Sequence, residues 1–243
     1  MIKKFVNIIA LIGVLAVNYL ANALPINGKN TGELSDQYPN LFVPAGITFS
    51  IWGLIYLLLI VWVIAQFISK EARRVDLGWL FALSCVLNVS WIFLWHYEQL
   101  VIAMIIMWWL LRTLVVINQR LPSGSDGLAR ATFGIYLGWI CIATIANVTA
   151  VLVSINWNGF GLSEVMWTIV LIAAGTGIAI WLIRTLNNSF LAFSVAWAFA
   201  GIILKRQGDF PAIAYAAGAG VILVVALVMF RTFRHQHPGV DLS

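Results

Sequence analysis

The stretch Leu77–Trp95 reads LGWLFALSCVLNVSWIFLW and contains no charged residue. Its apolar positions do not alternate with polar ones, so it is not a half-buried strand or the wall of a membrane barrel. At 1.5 Å per residue a helix of this length spans about 28 Å, close to the ~30 Å of a bilayer's hydrocarbon. Ser84, Asn88, Trp91 and Trp95 recur at i, i+4, i+7 and i+11, which puts them on one helical face. An amide in hydrocarbon must find a partner, so this face points into a bundle, not into lipid.

Seven more runs of the same character flank it. They are expected at Phe5–Ala23, Gly46–Ile68, Leu100–Ile117, Ala131–Ser154, Glu164–Ile183, Ser189–Leu204 and Ala212–Phe233. The whole chain of 243 residues is 62% hydrophobic and 9% charged, with a mean hydropathy of +0.97. A soluble domain carries about 25% charge. The expected fold is therefore all-α, a polytopic transmembrane bundle of eight spans whose backbones are satisfied within each helix.

Basic residues test the division. With a cytoplasmic N-terminus, that side receives Lys3, Lys4, Lys70, Arg73, Arg74, Arg112, Arg120, Arg130, Arg184, Arg231 and Arg234. The other side receives only Lys29, Lys205 and Arg206. This asymmetry predicts both termini in the cytoplasm and explains the net charge of +5 without nucleic acid. Arg112, inside the fourth run, is read as snorkelling. Lys3-Lys4, the first apolar run and Ala21-Asn22-Ala23 also fit a cleavable signal peptide, which would leave seven helices. A retained helix is the favoured reading.

The longest loop, Leu24–Ala45, reads LPINGKNTGELSDQYPNLFVPA. Pro25, Asn27, Gly28, Asn30, Gly32, Asp36 and Pro39 are turn formers, yet Tyr38 and the run Leu41-Phe42-Val43 before Pro44 are apolar. That mixture predicts a lid, with Tyr38, Phe42 and Pro44 as its contact residues.

Two further faces repeat the pattern of the opening stretch. Tyr136, Trp139, Ala143 and Asn147 share one face, and Phe49, Trp52 and Tyr56 another. Trp52, Trp91 and Trp139 are expected to line a cavity because they share faces with polar groups. Of the other tryptophans among the chain's 12, Trp62, Trp79, Trp108, Trp109, Trp157 and Trp167 are assigned to membrane interfaces or lipid contact. Gly175-Thr176-Gly177 interrupts the sixth run, and Ala212, Ala216 and Gly220 form a small-residue packing face, within the chain or in a homodimer.

No hydrolytic or metal constellation is present. Cys85 and Cys141 both lie within spans, His96 stands alone at a span end, and His235 and His237 fall in the tail. No Walker, nucleophile-elbow or HExxH motif occurs, and Glu98, Glu164 and Asp209 are read as solvated span ends. No catalytic residue and no required cofactor is expected.

The motifs carry a resemblance. PAGITFSIWGLIYLLL at Pro44–Leu59 resembles the second helix of the TspO/MBR family, also called tryptophan-rich sensory proteins. LNVSWIFLWH at Leu87–His96 resembles its third helix and YLGWICIATIAN at Tyr136–Asn147 its fifth. The chain departs from the family's Trp-x-Pro-Pro element, having Phe42-Val43-Pro44-Ala45 in that place. The likeness covers Phe5–Ser154, so it implies a TspO-like five-helix membrane core over 1–154 with a three-helix extension and tail over 155–243. It further implies a cavity under the first loop that holds a porphyrin, a haem-like tetrapyrrole or a sterol-like molecule. Mapped by motif, Trp52, Tyr56, Asn88, Trp91, Trp95, Tyr136, Trp139, Ala143 and Asn147 would line or support it, with Phe49 on the same face as Trp52. The implied role is ligand binding or sensing in a bacterial inner or plasma membrane. A small-molecule permease, hinged at Gly175–Gly177, and a structural or partner-modulating subunit are the alternatives.

Overall fold

Each apolar run closes into a helix because hydrocarbon offers the backbone no other partner. The computed structural model describes residues 2–24, 26–70, 75–121 and 127–236. Pro25, Arg73, Arg74 and His237 of the sequence reading lie outside the described residues, as does the side chain of His235. The helices are α1 (Ile2–Ala23), α2 (Thr31–Asp36), α3 (Ile51–Ile68), α4 (Leu80–His96), α5 (Leu100–Gln119), α6 (Gly127–Ser154), α7 (Glu164–Leu186), α8 (Leu191–Arg206) and α9 (Pro211–Gln236). A helix appears at each of the eight places where a span is expected, and α2 is a short extra helix within the long loop. Among the described residues, six helices are long and apolar enough to cross a membrane, α3 counting with the 3-10 turn Gly46–Ser50 ahead of it. The other two, α4 and α8, have 17 and 16 residues. The chain is an integral membrane protein with an all-helical fold.

Helix α6 lies at the centre, packed on α3, α5, α7 and α8, and is the most enclosed of the six long helices. It admits α8 by way of Gly138. A Cβ there would stand 2.4 Å from the Leu191 carbonyl oxygen, so no larger residue fits that approach. The Ser194 hydroxyl completes the contact by donating to the Ile135 carbonyl at 2.6 Å.

Buried amides pin the bundle at one end and in its middle. Asn188 donates to Asn118 Oδ1 at 2.8 Å, and Asn118 donates in turn to the Phe133 carbonyl at 3.0 Å. Midway along α4, Asn88 Oδ1 accepts from Asn18 of α1 at 2.9 Å. Partnered amides of this kind fix helix register in hydrocarbon.

Several sequence expectations need correcting. Trp62 is neither interfacial nor lipid-facing: it is fully buried, with its ring 5.0 Å from that of Phe81 and 4.9 Å from that of Phe133. By contrast, Trp79, Trp108 and Trp109 are exposed on the bundle surface, in keeping with the sequence expectation. Helix α7 runs unbroken through Gly175–Gly177, with Thr176 donating to the Ile172 carbonyl. The packed face of α9 is Ile213, Ala217, Gly220 and Val224, whereas Ala212 is exposed. Small residues alone do not mark the contact; the face that meets Phe199 and Thr176 at Gly220 does.

Candidate functional site

The long loop folds as a clamped cover. Asn30 caps α2 by accepting from Gly32 and Glu33 amides, and Glu33 returns the bond to the Asn30 amide, a reciprocal capping box. One edge of the loop is tied to the α4–α5 turn. Asn27 donates to the His96 carbonyl at 3.0 Å, and the Tyr38 hydroxyl donates to Glu98 at 2.9 Å. Lys29 pairs with the same carboxylate at 3.2 Å. Glu98 is thus not merely a solvated span end: Tyr38 and Lys29 together hold its carboxyl below the usual range.

The other edge is tied to α8. The Arg206 guanidinium donates to the carbonyls of Leu41 (3.1 Å) and Asn40 (2.8 Å). Lys205 faces Asp36 at 3.6 Å, and Trp197 donates to the Thr48 carbonyl at 2.8 Å. The Ala45 amide donates to the Gly201 carbonyl, a contact close enough that a Cβ on Gly201 would overlap the Thr48 hydroxyl. Within the loop, Asn40 Oδ1 accepts from the Phe42 and Val43 amides and so bends the chain down before Pro44.

Beneath this cover lies a cavity of about 50 Å3. Phe49, Trp52, Trp91, Trp95, Trp139, Ala143 and Asn147 line it, with Pro44 from the loop. Thr31, Ser35, Asn40, Val43, Ile142, Ala146 and Ala150 complete the wall and were not singled out from sequence. The alanines had a signal, since Ala143, Ala146 and Ala150 follow Trp139 on one face of α6.

Aromatic rings dominate the wall. Trp91 stacks on Trp95 at 5.8 Å, Trp52 meets Trp139 edge-on at 6.2 Å, and Phe49 meets Trp139 at 5.9 Å. Trp91 Nε1 donates to Asn147 Oδ1 at 3.0 Å, joining α4 to α6. Trp95 and Trp139 differ: each indole N–H is buried with no hydrogen-bond partner among the described residues, as are the Tyr56 hydroxyl behind the wall and the Trp62 indole in the core.

Three of the expected site residues sit outside the wall itself. Asn88 donates to the Tyr136 hydroxyl at 3.0 Å, and Tyr56 stacks on Trp52 at 5.4 Å. Tyr136 lies edge-on to Trp52 at 5.9 Å. Asn88, Tyr56 and Tyr136 therefore back the aromatic wall without lining the cavity. Of the expected lid residues, only Pro44 lines it. Tyr38 packs over Trp95 with ring centroids 6.2 Å apart, and Phe42 is wholly buried against the α6–α7 side. Sequence reasoning passed over Asn18, whose amide extends the Asn88–Tyr136 pair into α1. An Asn inside an apolar run was the available signal there too.

A profile of the family described as TSPO-like protein matches residues 4–230. The chain belongs to this family. The matched span takes in the motif-bearing residues of this TSPO-like protein, from α1 to α6, and continues through α7, α8 and most of α9. Neither the curated proteins nor the solved structures compared with it give a match. Among the described residues of this TSPO-like chain, no three His, Cys, Asp or Glu side chains gather as a metal site, and Cys85 and Cys141 are free and buried.

Proposed function

We propose that this TspO-type membrane protein binds a planar apolar molecule, of the porphyrin or haem-like tetrapyrrole class, in the aromatic cavity beneath the loop. The observation that carries the reading is the pair of unpaired indole donors, Trp95 and Trp139, in a largely apolar wall that also presents the rings of Phe49, Trp52 and Trp91. Flat π systems stack on such faces. A buried donor without an acceptor costs about 1–3 kcal/mol, which a ligand carrying an acceptor at its edge recovers.

Size sets a condition. Pockets for drug-sized ligands hold about 300–1,000 Å3, and this cavity holds about 50 Å3. A tetrapyrrole enters only if the loop lifts and the Trp52–Trp139 contact opens. The loop's ties to Glu98 and Arg206 lie at its two edges and are polar, so they can be exchanged for water during opening. The basic-residue asymmetry orients the loop away from the cytoplasm, with both termini inside. The absorption spectrum of protein purified from cells making tetrapyrroles tests the reading: a co-purifying pigment supports it. An apolar sterol that binds while porphyrin does not would replace the ligand class while leaving the site in place.

A further inference from the structure

At the end of the bundle away from the loop, α7 and α9 enclose a recess of about 470 Å3 lined by Arg184, Leu227, Phe230, Arg231 and Arg234. Arg184 sits in the last turn of α7, and Arg231 and Arg234 are one turn apart on α9. Arg130, at the start of α6, lies within electrostatic reach of Arg231. Among the described residues none of these four guanidinium groups has a carboxylate partner, whereas Lys3, Lys29 and Lys205 each have one. Among the described residues the side-chain tie in the group is neutral: Arg231 donates to Asn187 Oδ1. That amide is set by the left-handed backbone of Asn187 at the end of α7.

Orientation alone does not ask for this arrangement. Cytoplasmic charges that only set topology need no common site, and Arg112, exposed on α5 outside this recess, is one such. Here three forks converge from two helices on one recess, and like charges held together destabilise each other unless an anion joins them. Guanidinium forks match phosphate oxygens in pairs. The recess floor is apolar, with Leu227 half-buried and Phe230 exposed toward the helix flank. A phosphate with a hydrocarbon tail satisfies both parts, and basic recesses between membrane helices on the cytoplasmic side hold lipid headgroups in this way.

We propose that Arg184, Arg231 and Arg234 form a binding site for the phosphate of an anionic phospholipid, with Leu227 and Phe230 under the start of its acyl chain. This site is separate from the aromatic cavity and stands or falls independently of it.

Native mass spectrometry of the full chain released from nanodiscs of equal parts phosphatidylglycerol and phosphatidylcholine tests it. The expected result is retained phosphatidylglycerol, with the preference falling about fivefold for each of R184Q, R231Q and R234Q, the factor that one juxtamembrane charge represents. R112Q should leave the preference unchanged. Thermal unfolding in phosphatidylcholine alone shows whether each variant is folded, and R231K and R234K, which keep the charge but lose the fork, should bind with intermediate strength. No preference in the wild type, or an equal loss in R112Q, overturns the proposal. Inorganic phosphate that displaces the lipid at millimolar concentration, and whose binding is unaffected by Phe230→Ser, would make this a free-phosphate site and overturn its assignment to lipid.

Discussion

Trp91 on α4 donates its indole N–H to Asn147 on α6 across 3.0 Å, both side chains being buried at the cavity wall. The bond leaves the Trp91 ring face free to stack on Trp95 while fixing its plane. It also links two of the three helices whose motifs carry the family likeness. Asn147→Leu should destabilise the protein by about 1–3 kcal/mol, because the indole donor is then buried unpaired. Adding Trp91→Phe to Asn147→Leu should recover part of that loss, with a coupling of about 0.6–1.7 kcal/mol. Thermal unfolding in detergent of the four species of the cycle measures it.

The cover responds to pH through Glu98 and Tyr38. The Glu98 carboxyl is held low by the Tyr38 hydroxyl, then by Lys29. Its contribution is complete above the ordinary glutamate value of about 4.3 and is lost as pH falls through the lower folded value. Tyr38 is pushed up to about 12, by burial first and then by Glu98. Its contribution holds below about 10 and is lost as pH rises through the raised value. Amide exchange over Gly28–Asn40, corrected for intrinsic rates, should therefore be slowest between these limits. Glu98→Gln should speed it at neutral pH and abolish the acid-side change.

Arg206 secures the opposite edge of the cover. Arg206→Gln frees the Leu41 and Asn40 carbonyls. Exchange should rise in the loop near Asn40–Val43, where the two amides bonded to Asn40 Oδ1 report it, and should not change in α1. A uniform rise across the bundle would mean that Arg206 supports the fold and not the cover in particular.

Helix α8 approaches α6 and the loop through two glycines without room for a methyl group. Gly138→Ala and Gly201→Ala should each cost about 1–3 kcal/mol by overpacking. Gly53 provides the contrast, with nothing within 4 Å of its Cβ position on the exposed side of α3. Gly53→Ala should be neutral or gain up to ~1 kcal/mol from helix propensity. Unfolding midpoints of the three variants give the comparison.

The spans were legible in the sequence because a hydrocarbon slab filters for length and apolarity alone. The cavity wall was legible because an amide in an apolar run points inward, so Asn88 and Asn147 marked the faces of Trp91 and Trp139. Trp62 was misread for the converse reason. The amide on its face, Gln66 one turn on, lies near the end of the run, where a polar residue reads as a span end, so core and lipid were not distinguished until Phe81 and Phe133 enclosed the ring. The clamp was hidden because its partners are far apart in the chain: Asn40 and Arg206 are 166 residues apart. Glu98, a lone carboxylate at a span end, looks identical in sequence whether solvated or bonded to Tyr38.

The central claim is that Trp95 and Trp139 bind a planar ligand through their unpaired indole donors and ring faces. Titration of the purified protein with protoporphyrin, followed by tryptophan fluorescence, tests it most directly. Saturable quenching is expected, with an affinity lowered about tenfold in the Trp95→Phe, Trp139→Phe double variant by loss of two hydrogen-bond donors, and no change in Trp108→Phe. Quenching that never saturates, or an affinity unchanged in the double variant, would contradict it.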